Sequence, residues 1–121
     1  MPVRHIGFAA GAKYTPAVVA GSLVFTSGQV GAEPDNGDVP DEFAAEVHLA
    51  LDNLERVLVA AGSGLERLVK VTCFISDVDL VDTFNRIYME RVPEPRPARA
   101  TVEVRMLPPY RIELDCVGAL G

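Results

Sequence analysis

Cysteine and histidine each occur only twice in these 121 residues, and neither forms a ligand pattern. Cys73 and Cys116 lie in apolar, strand-like stretches with no CxxC spacing, so they read as two buried thiols of a reducing compartment. His48 has no His, Cys or paired acid near it in sequence and reads as a helix-surface residue, not a metal ligand. Positive charge is scarce as well. Eleven Lys and Arg against seventeen Asp and Glu give a net charge of −6, with no basic run. General electrostatic attraction to nucleic acid or anionic lipid is therefore not expected. No apolar run reaches membrane-spanning length, and MPVRHIGFAAG lacks the apolar stretch of a signal peptide, so no membrane association and a cytoplasmic location are expected. Repeats, low-complexity tracts and linkers are absent too. What remains is a 49% hydrophobic chain expected to form one domain over 1–121. At this length it can withdraw roughly 65% of its unfolded surface from water, enough for a core without staples.

Five strands and two helices are legible. Ala17 to Ala20, the turn pair Gly21-Ser22 and Leu23 to Ser27 form a hairpin. The turn-rich AEPDNGDVP leads into a long helix, DEFAAEVHLALDNLERVLVAAG, with Asp41 near its start and Gly62 as its stop. Phe43, Val47, Leu51, Leu54, Val57, Leu58 and Ala61 recur at steps of three and four and make one buried stripe. Leu68 to Ser76 is a third strand. Asp77 and Asp79 can cap a second helix, DLVDTFNRIYMERV, whose stripe is Leu80, Phe84, Ile87 and Tyr88. ATVEVRM, the tight connection LPPY and RIELDCVGAL complete the order β-β-α-β-α-β-β. One stripe per helix places both helices on one face of a single sheet, an α+β fold.

In the fourth strand Ala100, Val102, Val104 and Met106 alternate with Arg99, Thr101, Glu103 and Arg105. In the fifth, Ile112, Leu114 and Cys116 alternate with Arg111, Glu113 and Asp115. The expectation is that the apolar sets lie under the helices and the charged sets cover the other face. That face is either solvated or docked against a partner subunit. Pro95 and Pro97 stiffen the approach to the fourth strand, so Arg99 is held at a strand start. A guanidinium so placed pairs with a local carboxylate or takes an anion; Arg96 is expected to serve the approach loop or a subunit seam.

TSGQ at 26–29, LDNLERVLVAAG at 51–62, KVTCFISDV at 70–78, FNRIY at 84–88, PARATVEV at 97–104 and IELD at 112–115 together resemble the reactive intermediate deaminase (RidA, or YjgF) family, in the family's order and over nearly the whole chain. The resemblance implies a chorismate-mutase-like α+β fold and a homotrimer with ligand clefts between adjacent subunits. It also implies hydrolysis of reactive enamines and imines such as 2-aminoacrylate to 2-oxo acids and ammonia, with no cofactor and no metal. Carried over by residue, it makes Arg99 the grip on the substrate carboxylate, for which a planar bidentate donor is suited. Glu113 becomes the residue that positions or activates water. Tyr14, Ser27, Gly28, Asn85 and Thr101 become cleft residues; Thr101 stands where many members carry cysteine, and its backbone amide stays available to a ligand. Two other readings use the same cleft: a trimer that binds or senses small carboxylates without turnover, and a dedicated deaminase of a larger enamine. Endoribonuclease, a name attached to some relatives, is disfavoured by the net charge and by two isolated histidines that form no acid/base couple.

Overall fold

The computed structural model describes residues 2–121. Seven strands form one sheet: β1 (Val3–Ile6), β2 (Ala17–Ala20), β3 (Leu23–Thr26), β4 (Gln29–Val30), β5 (Leu68–Ile75), β6 (Ala98–Glu103) and β7 (Ile112–Ala119). Their spatial order is β1-β2-β3-β7-β5-β6, with β4 beside β7. Every pairing is antiparallel except β5 with β6, which are joined through a helix. Helix α1 (Phe43–Ala60) and helix α2 (Val81–Arg91) pack their stripes on one face. Val47, Leu51, Leu54 and Leu58 of α1 and Phe84 and Ile87 of α2 are buried in one cluster with Val71, Cys73, Ile75, Ile112 and Leu114 of the sheet.

The expected α+β architecture holds, with differences at its margins. β1 and β4 are additional strands. Val3–Ile6 carries Arg4 and His5 and shows no alternation, yet it pairs with β2 as an edge; β4 is two residues long, too short for any period to show. Helix α1 starts at Phe43, with Glu42 in extended backbone, not at Asp41. Gly62 ends it at φ 91°, a conformation glycine adopts without steric cost. Asp77 does cap, accepting from the Asp79 amide at 2.8 Å, but it caps a 3₁₀ turn, Val78–Leu80, that precedes α2.

The main correction concerns β6. Its parallel register pairs Val71 with Arg99, Cys73 with Thr101 and Ile75 with Glu103. Val71, Cys73 and Ile75 are core residues, so Arg99, Thr101 and Glu103 share the helix-bearing face, the reverse of the expectation. Alternation divides a strand into two sets but does not say which set faces the helices. Here β6 is an edge strand at the margin of the helix layer, where a long side chain can lie over α2 and still reach solvent. The cost falls on the other face: Val102 and Val104 are 42% and 36% exposed there, and Phe25 of β3 is 45% exposed.

Arg111 is likewise misplaced by alternation. Standing just before β7, it turns into the helix layer and meets Glu46 of α1, a carboxylate with no exposed surface. Its Nε donates to Glu46 Oε1 at 2.6 Å and its backbone N–H to Oε2 at 2.7 Å. Its Nη2 donates to the Pro40 and Asp41 carbonyls, each at 3.0 Å. Asn53 of α1 adds a second tie, donating to the Val30 and Ala32 carbonyls.

Both thiols are free and buried, and burial pushes each from the ordinary 9.0 up to about 11. Between those values the unfolded chain releases protons that the folded chain keeps. Stability contributed by the thiols is thus complete below pH 9 and is lost as pH rises toward 11, at about 1.4 kcal/mol per unit for each thiol. Urea melts at pH 8 and 10.5 should show a larger alkaline loss than those of Cys73→Ala and Cys116→Ala. Thiol reagents at pH 8 should react only as the protein unfolds. Rapid labelling of the folded chain would contradict this burial.

Candidate functional site

The residues singled out from the sequence fall into two groups. The first is built on α2 and β6. Phe84, Asn85 and Tyr88 lie on one side of α2 by their three- and four-residue spacing. The Arg99 guanidinium lies over them, 4.8 Å from the centre of the Tyr88 ring and 5.5 Å from that of Phe84. Its Nη2 donates to Asn85 Oδ1 at 2.8 Å. Stacking and one hydrogen bond fix the plane of the guanidinium, and no carboxylate pairs with it among the described residues. Its remaining N–H groups border a cavity of about 320 Å³ also lined by Asn85, Tyr88, Met89, Arg96 and Pro97.

Arg96 is the contrasting case. Its three guanidinium nitrogens each donate, to the Val92 carbonyl, the Glu94 carboxylate and the Met89 carbonyl, so it closes the end of α2 and serves the approach loop. Asn85 is directed at Arg99, and its position makes it an orienting partner of the arginine.

The second group is built on the β3–β4 corner, the loop before β2, and β7. Tyr14, Ser27, Gly28 and Glu113 line one cavity of about 330 Å³. The Ser27 hydroxyl donates to the Thr15 carbonyl at 2.6 Å, and the Ser27 amide donates to Pro16 at 2.9 Å, which ties the tyrosine loop to the β3 end. Gly28 passes so close to Glu113 that an added Cβ would land on the carboxylate, 2.8 Å from its Cδ. The carboxylate is the mobile end of a side chain and can yield, so Gly28→Ala should cost little stability but displace the group. The expected result is a melting temperature within a few degrees of the parent; a loss of many degrees would mean that the Glu113 side chain cannot yield.

Thr101 does not join either group by its side chain. Its Oγ1 is buried without a hydrogen-bond partner, on the core face opposite Cys73. Its backbone is different. Val104 N–H donates to Ile75 O at 2.9 Å, so by alternation the amides of Ala100 and Val102 face β5 and those of Arg99, Thr101 and Glu103 face the free edge. The Thr101 amide therefore lies on the free edge of the sheet.

The two groups are not brought together within one chain. Arg99 is on the helix-bearing face of β6 and Glu113 on the opposite face of β7, with β5 between the two strands. Their cavities share no residue. The platform formed by Phe84 and Tyr88 was not legible as functional, because their spacing marks them only as core. The Tyr88 hydroxyl is buried without a partner, and burial raises its pKa, an effect that Cys73 adds to and Arg99 opposes. Among the described residues no cluster of three or more His, Cys, Asp or Glu is arranged to hold a metal ion, and no helix is long and apolar enough to cross a membrane.

The sequence model of the family described as endoribonuclease L-PSP matches residues 6–120. The mitochondrial protein mmf2 of Schizosaccharomyces pombe is 38% identical over 123 residues, which cover 98% of this chain and 97% of that protein. The 2-iminobutanoate/2-iminopropanoate deaminase of Rattus norvegicus is 36% identical over 110 residues, 89% of this chain and 80% of the rat protein. Among solved structures, RidA from an Antarctic Psychrobacter superimposes with a TM-score of 0.86 at 29% identity, covering 95% of this chain and 94% of that one. With residue match and fold in agreement, the chain belongs to the reactive intermediate deaminase family, RidA/YjgF.

Proposed function

We propose that this chain is a hydrolytic deaminase of 2-imino acids and their enamine tautomers, working at a cleft that two copies complete. The observation that carries the reading is the held guanidinium of Arg99, stacked, oriented by Asn85 and left without a carboxylate partner. A 2-imino acid offers a planar carboxylate for that fork and an electrophilic C2 beside it. In the reaction, water adds to C2 and gives up a proton to the Glu113 carboxylate. Glu113 passes that proton to the nitrogen of the carbinolamine, and as the C–N bond breaks the remaining hydroxyl proton returns to the Glu113 carboxylate, so that ammonia and a 2-oxo acid leave. Starting from the protonated imine, the proton left on Glu113 is carried off by ammonia as ammonium, and the step balances. Because an iminium carbon is already a strong electrophile, the protein's task is orientation and electrostatics.

The separation of Arg99 from Glu113 within one chain is the reason for invoking a second copy. The exposed apolar residues Phe25, Val102 and Val104, on the same face as Glu113, support an assembly that covers this face. We read the assembly as a homotrimer, to be checked by light scattering. The binding or sensing reading uses the same trimer and the same cleft, without turnover.

The test is the lifetime of 2-aminoacrylate generated in situ by a dehydratase and trapped with semicarbazide. Faster pyruvate release at the expense of the semicarbazone supports the deaminase. Unchanged partition with a protein that still binds 2-oxo acids supports the sensor.

A further inference from the structure

Glu113 borders two cavities. Tyr14, Ser27 and Gly28 flank it on one side. On the other is a hollow of about 250 Å³ lined by Phe74, Val104, Met106, Leu107 and Tyr110. Phe74 and Glu113 are register partners on β5 and β7, so ring and carboxylate leave the sheet side by side on one face. Val104 extends β6 along that face, and the other three residues come from the connection to β7. Arg105 is the one cation in the lining. A charged carboxylate thus stands at the boundary between a polar hollow and an apolar one.

We propose that the apolar hollow receives the side chain of the imino acid, and that the preferred substrates are 2-imino acids with branched aliphatic, thioether or aromatic side chains. This rests on the deaminase reading above. C2 of such a substrate is trigonal. Its carboxylate goes to Arg99, its nitrogen must face the polar side where water and protons move, and its side chain has the third direction. Of the two hollows that Glu113 borders, the one lined by Phe74 and Leu107 is the apolar one, and it is assigned to the side chain. The size fits: about 250 Å³ is far more than the single methyl of 2-iminopropanoate fills. Leu107, 80% exposed within one chain, offers the largest free apolar surface in the lining. Full burial of each methylene is worth about fourfold, so three extra carbons in a half-open hollow should give at least about tenfold.

The assembled protein is assayed with imines made by D-amino acid oxidase from D-alanine and from D-leucine, in competition with semicarbazide. The expected ratio of kcat/KM, leucine-derived over alanine-derived, is about ten or more, and Leu107→Asp lowers that ratio about tenfold. A ratio at or below one, as when a neighbouring copy fills the hollow, overturns the proposal and leaves the deaminase standing. A high ratio that Leu107→Asp does not change also overturns it. If neither imine is hydrolysed faster, the deaminase reading fails, and calorimetry with pyruvate and 4-methyl-2-oxopentanoate decides the hollow. Tighter binding of the larger acid, lost in Leu107→Asp, keeps the pocket; equal binding or none removes it.

Discussion

On the proposed deaminase reading, replacing Arg99 with alanine should lower kcat/KM for 2-aminoacrylate-type imines about a thousandfold. Two charge-assisted hydrogen bonds to a carboxylate, at about 2 kcal/mol each, sum to about 4 kcal/mol, which is that factor. The fold barely responds. Arg99 contributes to stability through its stacking on Tyr88 and one bond to Asn85, a cation–π term of about 0.5–1 kcal/mol at an exposed site. Activity and melting temperature therefore separate in this variant. Arg99→Lys keeps the charge and loses the planar fork, so it falls between, at about tenfold to a hundredfold. An imine without a carboxylate should be indifferent to residue 99. Hydrolysis that survives in Arg99→Ala at the parental rate would leave an enzyme but move its anion site elsewhere.

The largest effect on stability is expected at Glu46 and Arg111, with an asymmetry between the partners. Glu46 is fully buried, whereas about a third of the Arg111 side chain is exposed. Arg111→Met leaves the carboxylate inside the protein with only a backbone amide to answer it. The expected loss is about 4 kcal/mol, or about 10–20 °C in melting temperature. Glu46→Ala is milder, about 3 kcal/mol, because the stranded guanidinium can turn to water and keeps the Pro40 and Asp41 carbonyls. Glu46→Leu combined with Arg111→Met should recover most of the loss, since neither charge is then left alone. Thermal melts of the three variants check this ordering. Equal losses for the two single variants would mean that solvent reaches Glu46 as readily as Arg111.

Much of the fold was legible because its signals are local. The α1 stripe from Val47 to Leu58 and the run Leu68 to Ile75 stand out by period alone, and the hairpin by its Gly21-Ser22 turn. What failed was long-range. Whether Val102 or Thr101 faces α2 depends on the parallel register that α2 imposes on β6 against β5, and no window of β6 contains it. Arg111 sits at the right parity for the outer face but just outside the strand, where Glu46, sixty-five residues away, turns it inward. The candidate residues were named through resemblance, but their geometry was not legible. Tyr14, Ser27, Gly28 and Glu113 do meet, while Arg99 lies on the other side of the sheet with Asn85. Sequence order holds no trace of that division, because it depends on which face of the sheet each strand turns toward the helices.

The division is also the central claim, and a mixing experiment tests it. Arg99→Ala and Glu113→Gln are each purified, shown to be inactive, and then assembled together from equal amounts. If every cleft draws Arg99 from one copy and Glu113 from another, about a quarter of the clefts in the mixture regain both residues, and about a quarter of the parental rate returns. If both residues serve a site within a single chain, no chain in the mixture has both, and the mixture remains as inactive as its components.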